Sequence, residues 1–233
     1  EGNGRKGLRL RKDLTTDLHL MESATEQYIR EHSTPQSEAL EWIEKQTNIH
    51  TNYPRMLSGR VQGRLLTMIT RMCGARHVLE IGCFTGYSAP CFAYGVGEGG
   101  QVDTLEINAE LEELTRSGWE RSGVGDRICL HLGDALESIG RLACEGRRYD
   151  LVYIDANKRE YLEYYEAVLP LLRSGGVILA DDTMVGGKVC ETPVPTDKQT
   201  RGLVRFNEAV AKDPRVECVI LPIRDGLSII RKL

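Results

Sequence analysis

From residue 77 onward, short apolar runs alternate with longer stretches whose apolar positions recur every three or four residues. The runs at 77–83, 101–107, 127–132, 150–155, 177–181, 216–221 and 227–231 read as strands. The stretches at 87–94, 109–122, 134–144, 160–172 and 202–212 read as helices. Repeated strand–helix units imply a parallel sheet with helices on both faces. Residues 222–226 are too few for a crossover helix, so the last two strands form a hairpin and the final strand runs antiparallel. The pattern therefore predicts an α/β fold: a seven-stranded, mostly parallel sheet with a C-terminal antiparallel hairpin. Upstream, a loose stripe of Leu14, Leu18, Met21, Tyr28 and Ile29 predicts a helix over 13–33. Pro35 opens a second to 47, Tyr53-Pro54 breaks the helical pattern, and 59–72 forms a third. We read 13–233 as one domain, with helices in 13–73 covering a site on the 74–233 core.

Composition narrows the class. The 233 residues suit one α/β domain, and 41% hydrophobic with 27% charged residues is ordinary for a globular chain. No apolar run approaches the roughly 18 residues of a membrane span, so no membrane partner is expected. The net charge of −4 argues against a nucleic-acid surface. Seven cysteines (73, 83, 91, 129, 144, 190 and 218) form no CxxC pair, and several lie in apolar runs. They read as reduced, buried thiols in a reducing, cytoplasmic compartment. The five histidines are scattered and zinc-ligand spacing is absent, so each reads as structural or surface-exposed. Residues 1–12 carry Arg5, Lys6, Arg9, Arg11 and Lys12 without an acid beyond Glu1. They read as a flexible solvated tail, or as the stub of a targeting segment.

The most informative stretch is Val78-Leu79-Glu80-Ile81-Gly82-Cys83-Phe84-Thr85-Gly86-Tyr87-Ser88, a strand running into a glycine-punctuated turn and a helix. Its G-x-x-x-G spacing lacks the G-x-G-x-x-G of a dinucleotide loop. It suits a nucleoside cofactor without pyrophosphate. Glu106 ends the next strand, where an acid can accept hydrogen bonds from ribose hydroxyls. Gly133-Asp134-Ala135 follows the third strand, where an adenine would lie. A strand-terminal Glu such as Glu106 can instead be a helix N-cap. Asp155 ends the fourth strand and Asp181-Asp182 the fifth. Adjacent strands lie ~4.8 Å apart, so these carboxylates can converge on one ion. An all-oxygen set suits Mg2+, Mn2+ or Ca2+ rather than zinc; the plainer alternative is helix caps or solvated loop acids. Lys158 stands three residues past Asp155. Beside a dication its pKa should fall, giving a neutral amine; otherwise it is a surface lysine.

Taken in order, these motifs resemble the cation-dependent S-adenosylmethionine O-methyltransferases, a family that includes catechol and caffeoyl-coenzyme-A O-methyltransferases. The matching runs are Met56-Leu57-Ser58 with Gln62-Gly63-Arg64-Leu65-Leu66, the 79–88 turn, Glu106-Ile107-Asn108 and Gly133-Asp134-Ala135. They continue through Val152-Tyr153-Ile154-Asp155-Ala156-Asn157-Lys158, Gly175 to Thr183, and Leu221-Pro222-Ile223-Arg224-Asp225-Gly226-Leu227. The resemblance implies a Rossmann-like class I methyltransferase fold. It implies a pocket for S-adenosylmethionine lined by Met56, Ser58, Glu80, Gly82, Cys83, Tyr87, Ser88, Glu106, Ile107, Asp134, Ala135 and Asp155. It implies a metal held by Asp155, Asp181 and Asp182, and Lys158 as general base.

The reaction expected from that resemblance starts with a metal-bound vicinal diol of an aromatic small molecule. A phenolate then attacks the sulfonium methyl in line, and alignment of the two reactants supplies potentially ~7–11 kcal/mol. Relatives are commonly homodimers. The chain departs from the family at Asp182, where Asn is usual, and at Gly186, where Asn often contacts the acceptor. The first leaves metal preference open and the second suggests a wider or differently shaped pocket. Residues 186–201, with Pro193 and Pro195, read as a covering loop. Its Lys198 and Arg201 either meet an anionic acceptor tail or are simply solvated. Two further readings stand: a methyltransferase acting on a hydroxylated tRNA uridine, and a cofactor-binding protein without turnover.

Overall fold

The computed structural model describes residues 24–233, which divide after Pro35 into two compact units. In the first, Ala24–Glu31 is helical. The expected 13–33 helix thus ends at Glu31, with residues 32–33 in a turn, and its residues 13–23 and the basic start of the chain lie outside the described residues.

The second unit is built on a seven-stranded sheet: β1 His77–Ile81, β2 Gln101–Glu106, β3 Ile128–Leu132, β4 Tyr149–Ile154, β5 Leu172–Ala180, β6 Val216–Leu221 and β7 Leu227–Lys232. The strand order is β3-β2-β1-β4-β5-β7-β6. β7 pairs antiparallel with both β5 and β6, and the other pairings are parallel, as the hydrophobic pattern predicted. The period-2 alternation of β1 explains why the sheet is covered twice. Val78 joins an apolar cluster with Phe92, Leu66 and Ile43 on one face. Leu79 and Ile81 join another with Tyr161, Tyr165 and Phe206 on the opposite face.

Helices Glu38–His50 and Gly59–Met72 pack on helices Glu112–Ser122 and Ser88–Val96, respectively. They therefore reinforce one side of the sheet. The part of this region that reaches the site is the short turn between them, Pro54–Met56, with Leu57 and Ser58.

Three expectations need correction. The helix expected over 160–172 is Tyr161–Val168, and β5 starts at Leu172, because its first residues pair with the start of β4 across a register shift. The last helix is Lys198–Lys212 rather than 202–212, since Asp197 caps it by accepting from Thr200 N at 3.0 Å. Lys198 and Arg201 therefore sit on a helix, and the covering segment ends at its cap. The thiols are also less buried than the apolar runs implied: Cys83 and Cys91 are buried, whereas Cys73, Cys129, Cys144, Cys190 and Cys218 reach solvent.

Candidate active site

The chain runs from β1 outward to β3 and then returns to β4 on the other side of β1. Ligands of open α/β sheets bind where strand order reverses in this way, beyond the carboxyl ends. Here the parallel ladder continues one rung past the strands. Gly82 N donates to Leu105 O, Gly133 N to Glu106 O, Asp155 N to Ile81 O and Asp181 N to Ile154 O, all at 2.9–3.0 Å. The loops carrying the candidate residues thus leave the sheet side by side from fixed positions.

Gly82 is required at that crossing. Its φ is +97°, and a Cβ there would stand 2.1 Å from Asp155 O. The turn that follows holds Phe84 at φ +50°. This aims the Cys83 and Phe84 amides at Glu106 Oε2, at 3.2 and 2.7 Å, while Asn108 N donates to Oε1 at 2.8 Å. Glu106 therefore organises the turn as well as facing the space in front of it.

That space is a cavity of about 530 Å³. Met56 and Ser58 line it from one side and Gly82, Cys83, Tyr87 and Ser88 from β1 and its turn. Glu106 and Ile107 follow from β2, Asp134 and Ala135 from β3, and Asp155, Lys158 and Asp182 from β4 and β5. Asp134 also caps helix Ala135–Cys144, accepting from Glu137 N at 3.0 Å.

Glu80 and Asp181 do not line the cavity. Glu80 is fully buried beneath the turn, where Thr104 Oγ1 donates to Oε2 and Oε1 has no partner. Burial pushes its carboxyl up to about 8. The Ser88 and Thr104 hydroxyls pull the other way, while the Asp155 and Glu106 charges add to the rise. Asp181 is 3% exposed. Its Oδ2 accepts from Gln62 Nε2 and from Tyr153 OH, the latter at 2.9 Å. Burial and then the neighbouring Asp155 and Asp182 charges push its pKa upward. Asp182 takes φ +54°, a conformation that Asp and Asn tolerate best, and so turns its carboxylate away from β5 toward the cavity.

The three carboxylates do not gather around one point, since their oxygens are not all within 4.8 Å of one another. Two of them gather on Lys158 instead. Its Nζ lies 2.7 Å from Asp155 Oδ1 and 3.1 Å from Asp182 Oδ2, and donates to Tyr161 OH at 2.7 Å. Tyr161 OH in turn donates to Asp181 O at 2.9 Å and Ile154 O at 3.2 Å. Among these residues alone the Lys158 pKa moves the other way from the fall expected beside a dication. Burial lowers it, but Tyr161, Asp155 and Asp182 together raise it well above the ordinary lysine value. That expectation relied on the charge of a dication, whereas the chain's own neighbours are anionic.

The donor chemistry still fits a hard cation. Three carboxylates against one ammonium leave a net negative cluster of oxygen donors, with Asp181 pushed toward its neutral form by burial and mutual repulsion. Gly202 sets how closely the last helix approaches this cluster, because a Cβ there would meet Lys158 O at 2.6 Å.

A second hollow of about 370 Å³ adjoins the first and shares Met56 and Asp182 with it; Tyr53, Arg55, Arg224 and Asp225 are also in its wall. Arg224 ties its two sides together. Its guanidinium donates to Leu57 O at 2.9 Å, Arg55 O at 3.2 Å and Ser58 O. Asp225 Oδ1 accepts from Gly186 N at 3.0 Å. The turn of the C-terminal hairpin thus anchors both segments that flank the hollow. The sequence pattern named no role for Tyr153, Tyr161, Gln62 or Arg224. Only the spacing of Tyr161, three residues past Lys158, hinted at one.

A family model described as O-methyltransferase matches residues 30–233. The chain belongs to the O-methyltransferase family. A caffeoyl-CoA O-methyltransferase of Eucalyptus gunnii is 32% identical over 92% of this chain and 89% of its own. The catechol O-methyltransferase domain-containing protein 1 of Mus musculus is 36% identical over 74% of this chain and 66% of its own. Among solved structures, an O-methyltransferase from Bacillus cereus in complex with SAH superposes with a TM-score of 0.85 at 31% identity, covering 91% of this chain and 98% of that one. The seven-stranded sheet of this methyltransferase, with its single antiparallel strand, is therefore the Rossmann-like architecture of its relatives. None of its described helices is long and apolar enough to cross a membrane.

Proposed function

We propose that this methyltransferase moves the methyl group of S-adenosylmethionine to a hydroxyl of a small vicinal dihydroxy aromatic, with a divalent cation, Mg2+ or a similar hard ion, held by Asp155, Asp181 and Asp182. The observation that carries the reading is the junction of the two hollows at Met56 and Asp182. One hollow has a glycine turn and Glu106 to receive a nucleoside. The other opens beside the carboxylate–lysine cluster, so an acceptor oxygen and a donor methyl would meet where the hollows join. The solved relative with SAH bound and the caffeoyl-CoA and catechol-type relatives support the donor and the acceptor class.

When bound, the cation supplies positive charge that lowers the pKa of the acceptor hydroxyls and of Lys158 alike. The chain's own residues do the rest. Glu106 and the Cys83–Phe84 amides fix the turn that receives the nucleoside. Lys158 holds or accepts a proton at Nζ, and Tyr161 keeps that nitrogen facing Asp155 and Asp182. Met56 places apolar surface at the junction. Attack of an anion on a sulfonium cancels charge, so excluding water favours the step.

The test is a methyl-transfer screen over catechols, acyl-thioester phenolics and hydroxylated tRNA, each with Mg2+ and with chelator. Turnover confined to catechols or acyl-thioester phenolics and lost with chelator is expected. Undiminished turnover in excess chelator, or turnover on tRNA alone, sinks the reading. Asp155→Ala should abolish activity. Lys158→Ala should lower turnover while S-adenosylmethionine binding stays within about twofold of wild type.

A further inference from the structure

On the sheet's outer side, Cys129 and His131 stand two residues apart on β3, the edge strand, so their side chains share a face. Asp103 is the direct cross-strand partner of Cys129 on β2 and shares that face. The three offer a thiol sulfur, an imidazole nitrogen and a carboxylate oxygen that all lie within 4.8 Å of one another, the one such group among the described residues. His131 Nε2 is 2.8 Å from Asp103 Oδ1. Tyr149 OH donates to Asp103 Oδ2 at 2.9 Å, fixing the carboxylate from behind. Asp103 is 4% exposed, while Cys129 reaches solvent. None of these residues lines the cavity described above.

We propose that Asp103, Cys129 and His131 form a second metal site, for a borderline-soft divalent cation of the zinc type. A thiolate, an imidazole and a carboxylate are the donors zinc takes in tetrahedral sites, and a set containing sulfur is poorly suited to Mg2+ or Ca2+. Three protein ligands leave a fourth position, which the exposed side of Cys129 opens to water. Tyr149 supplies the outer hydrogen bond that commonly orients a metal-binding carboxylate. A Cys–His–Asp nucleophile relay fits less well. His131 turns Nε2 to Asp103, and no hydrogen bond among the described residues joins Cys129 to His131. The charged groups around the thiol besides Asp103 are Arg147, Arg116 and Glu145, of which Arg147 and Glu145 pair with each other at 3.6 Å. On binding, the thiol proton leaves to solvent, the imidazole proton that Nε2 donates to Asp103 moves through solvent to Nδ1, and the metal bonds to Sγ, Nε2 and a carboxylate oxygen. Zinc-finger spacing, the pattern a sequence search seeks, cannot reveal this site. Two of its ligands are paired by strand period and the third by sheet register.

The proposal is independent of methyl transfer. It is tested on the whole reduced protein in excess Mg2+, which saturates oxygen-only sites, by titration with Co2+ and then Zn2+. One equivalent of Co2+ should produce a thiolate-to-metal charge-transfer band that Zn2+ displaces. Cys129→Ser should lose the band, and His131→Ala should weaken binding about tenfold or more. X-ray absorption on the zinc-loaded wild-type protein needs no variant to fold, and should show one sulfur at about 2.3 Å beside nitrogen and oxygen at about 2.0–2.1 Å. A first shell of oxygen and nitrogen alone, or a band that survives in Cys129→Ser, overturns the site.

Discussion

Glu80→Gln tests the electrostatics beneath the cofactor turn. The Glu80 carboxyl is fully buried, and its pKa rises from 4.5 to about 8, chiefly through burial. Between those pH values the native state keeps a proton that the unfolded chain has released. Unfolding therefore releases it, and stability falls as pH rises, levelling off above about pH 8. The full penalty is roughly 5 kcal/mol, of which about 2 kcal/mol accumulates between about pH 5.5 and about pH 7. The glutamine that replaces it is an uncharged mimic of the protonated acid, with no such slope. Its amide stands where Oε1 already lacks a partner, an offset that does not change with pH. Urea unfolding of both metal-free proteins at the two pH values should show the stability difference shifting by about 2 kcal/mol in favour of the variant at the higher pH. A difference constant within about 0.5 kcal/mol would mean that Glu80 is ionised in the fold, and that burial does not govern it.

Gly82→Ala forces a Cβ to within 2.1 Å of Asp155 O and strains a φ of +97°; we expect a loss of about 2–5 kcal/mol and weakened S-adenosylmethionine binding, measured by unfolding and calorimetry. Tyr161→Phe removes the hydroxyl that joins Lys158 to the Asp181 and Ile154 carbonyls. It should cost about 1–3 kcal/mol and reduce turnover more than donor affinity, so unchanged kinetics would remove Tyr161 from the positioning of Lys158. Asp197→Ala uncaps the last helix and should lower stability measurably in the same unfolding assay, with Asn at this position restoring most of it. Arg224→Ala frees the carbonyls of Arg55, Leu57 and Ser58, and hydrogen exchange in the 53–58 segment should quicken while the sheet stays protected.

The sheet was legible because each of its strands carries its own signal. Apolar runs located all seven, and the brevity of 222–226 forced the final strand to run antiparallel. The glycine turn and the acids at successive strand ends located the cavity, since the carboxyl ends of parallel strands share one edge. Eleven of the twelve expected lining residues do face it, with Glu80 beneath instead. Boundaries that hang on one capping side chain or one register shift, such as the start of the last helix at Asp197 and of β5 at Leu172, left little trace in periodicity.

Local sequence determined what each residue can do: which acids end strands, where glycine must stand, and that Lys158 follows Asp155 by a short turn. Tertiary structure decided which charges meet. It set Lys158 between Asp155 and Asp182, turned Asp181 back onto Gln62 and Tyr153, and brought Asp103 beside Cys129 and His131. A pKa or a ligand set depends on burial and on distances across strands, and those quantities exist only after the sheet has placed remote residues side by side.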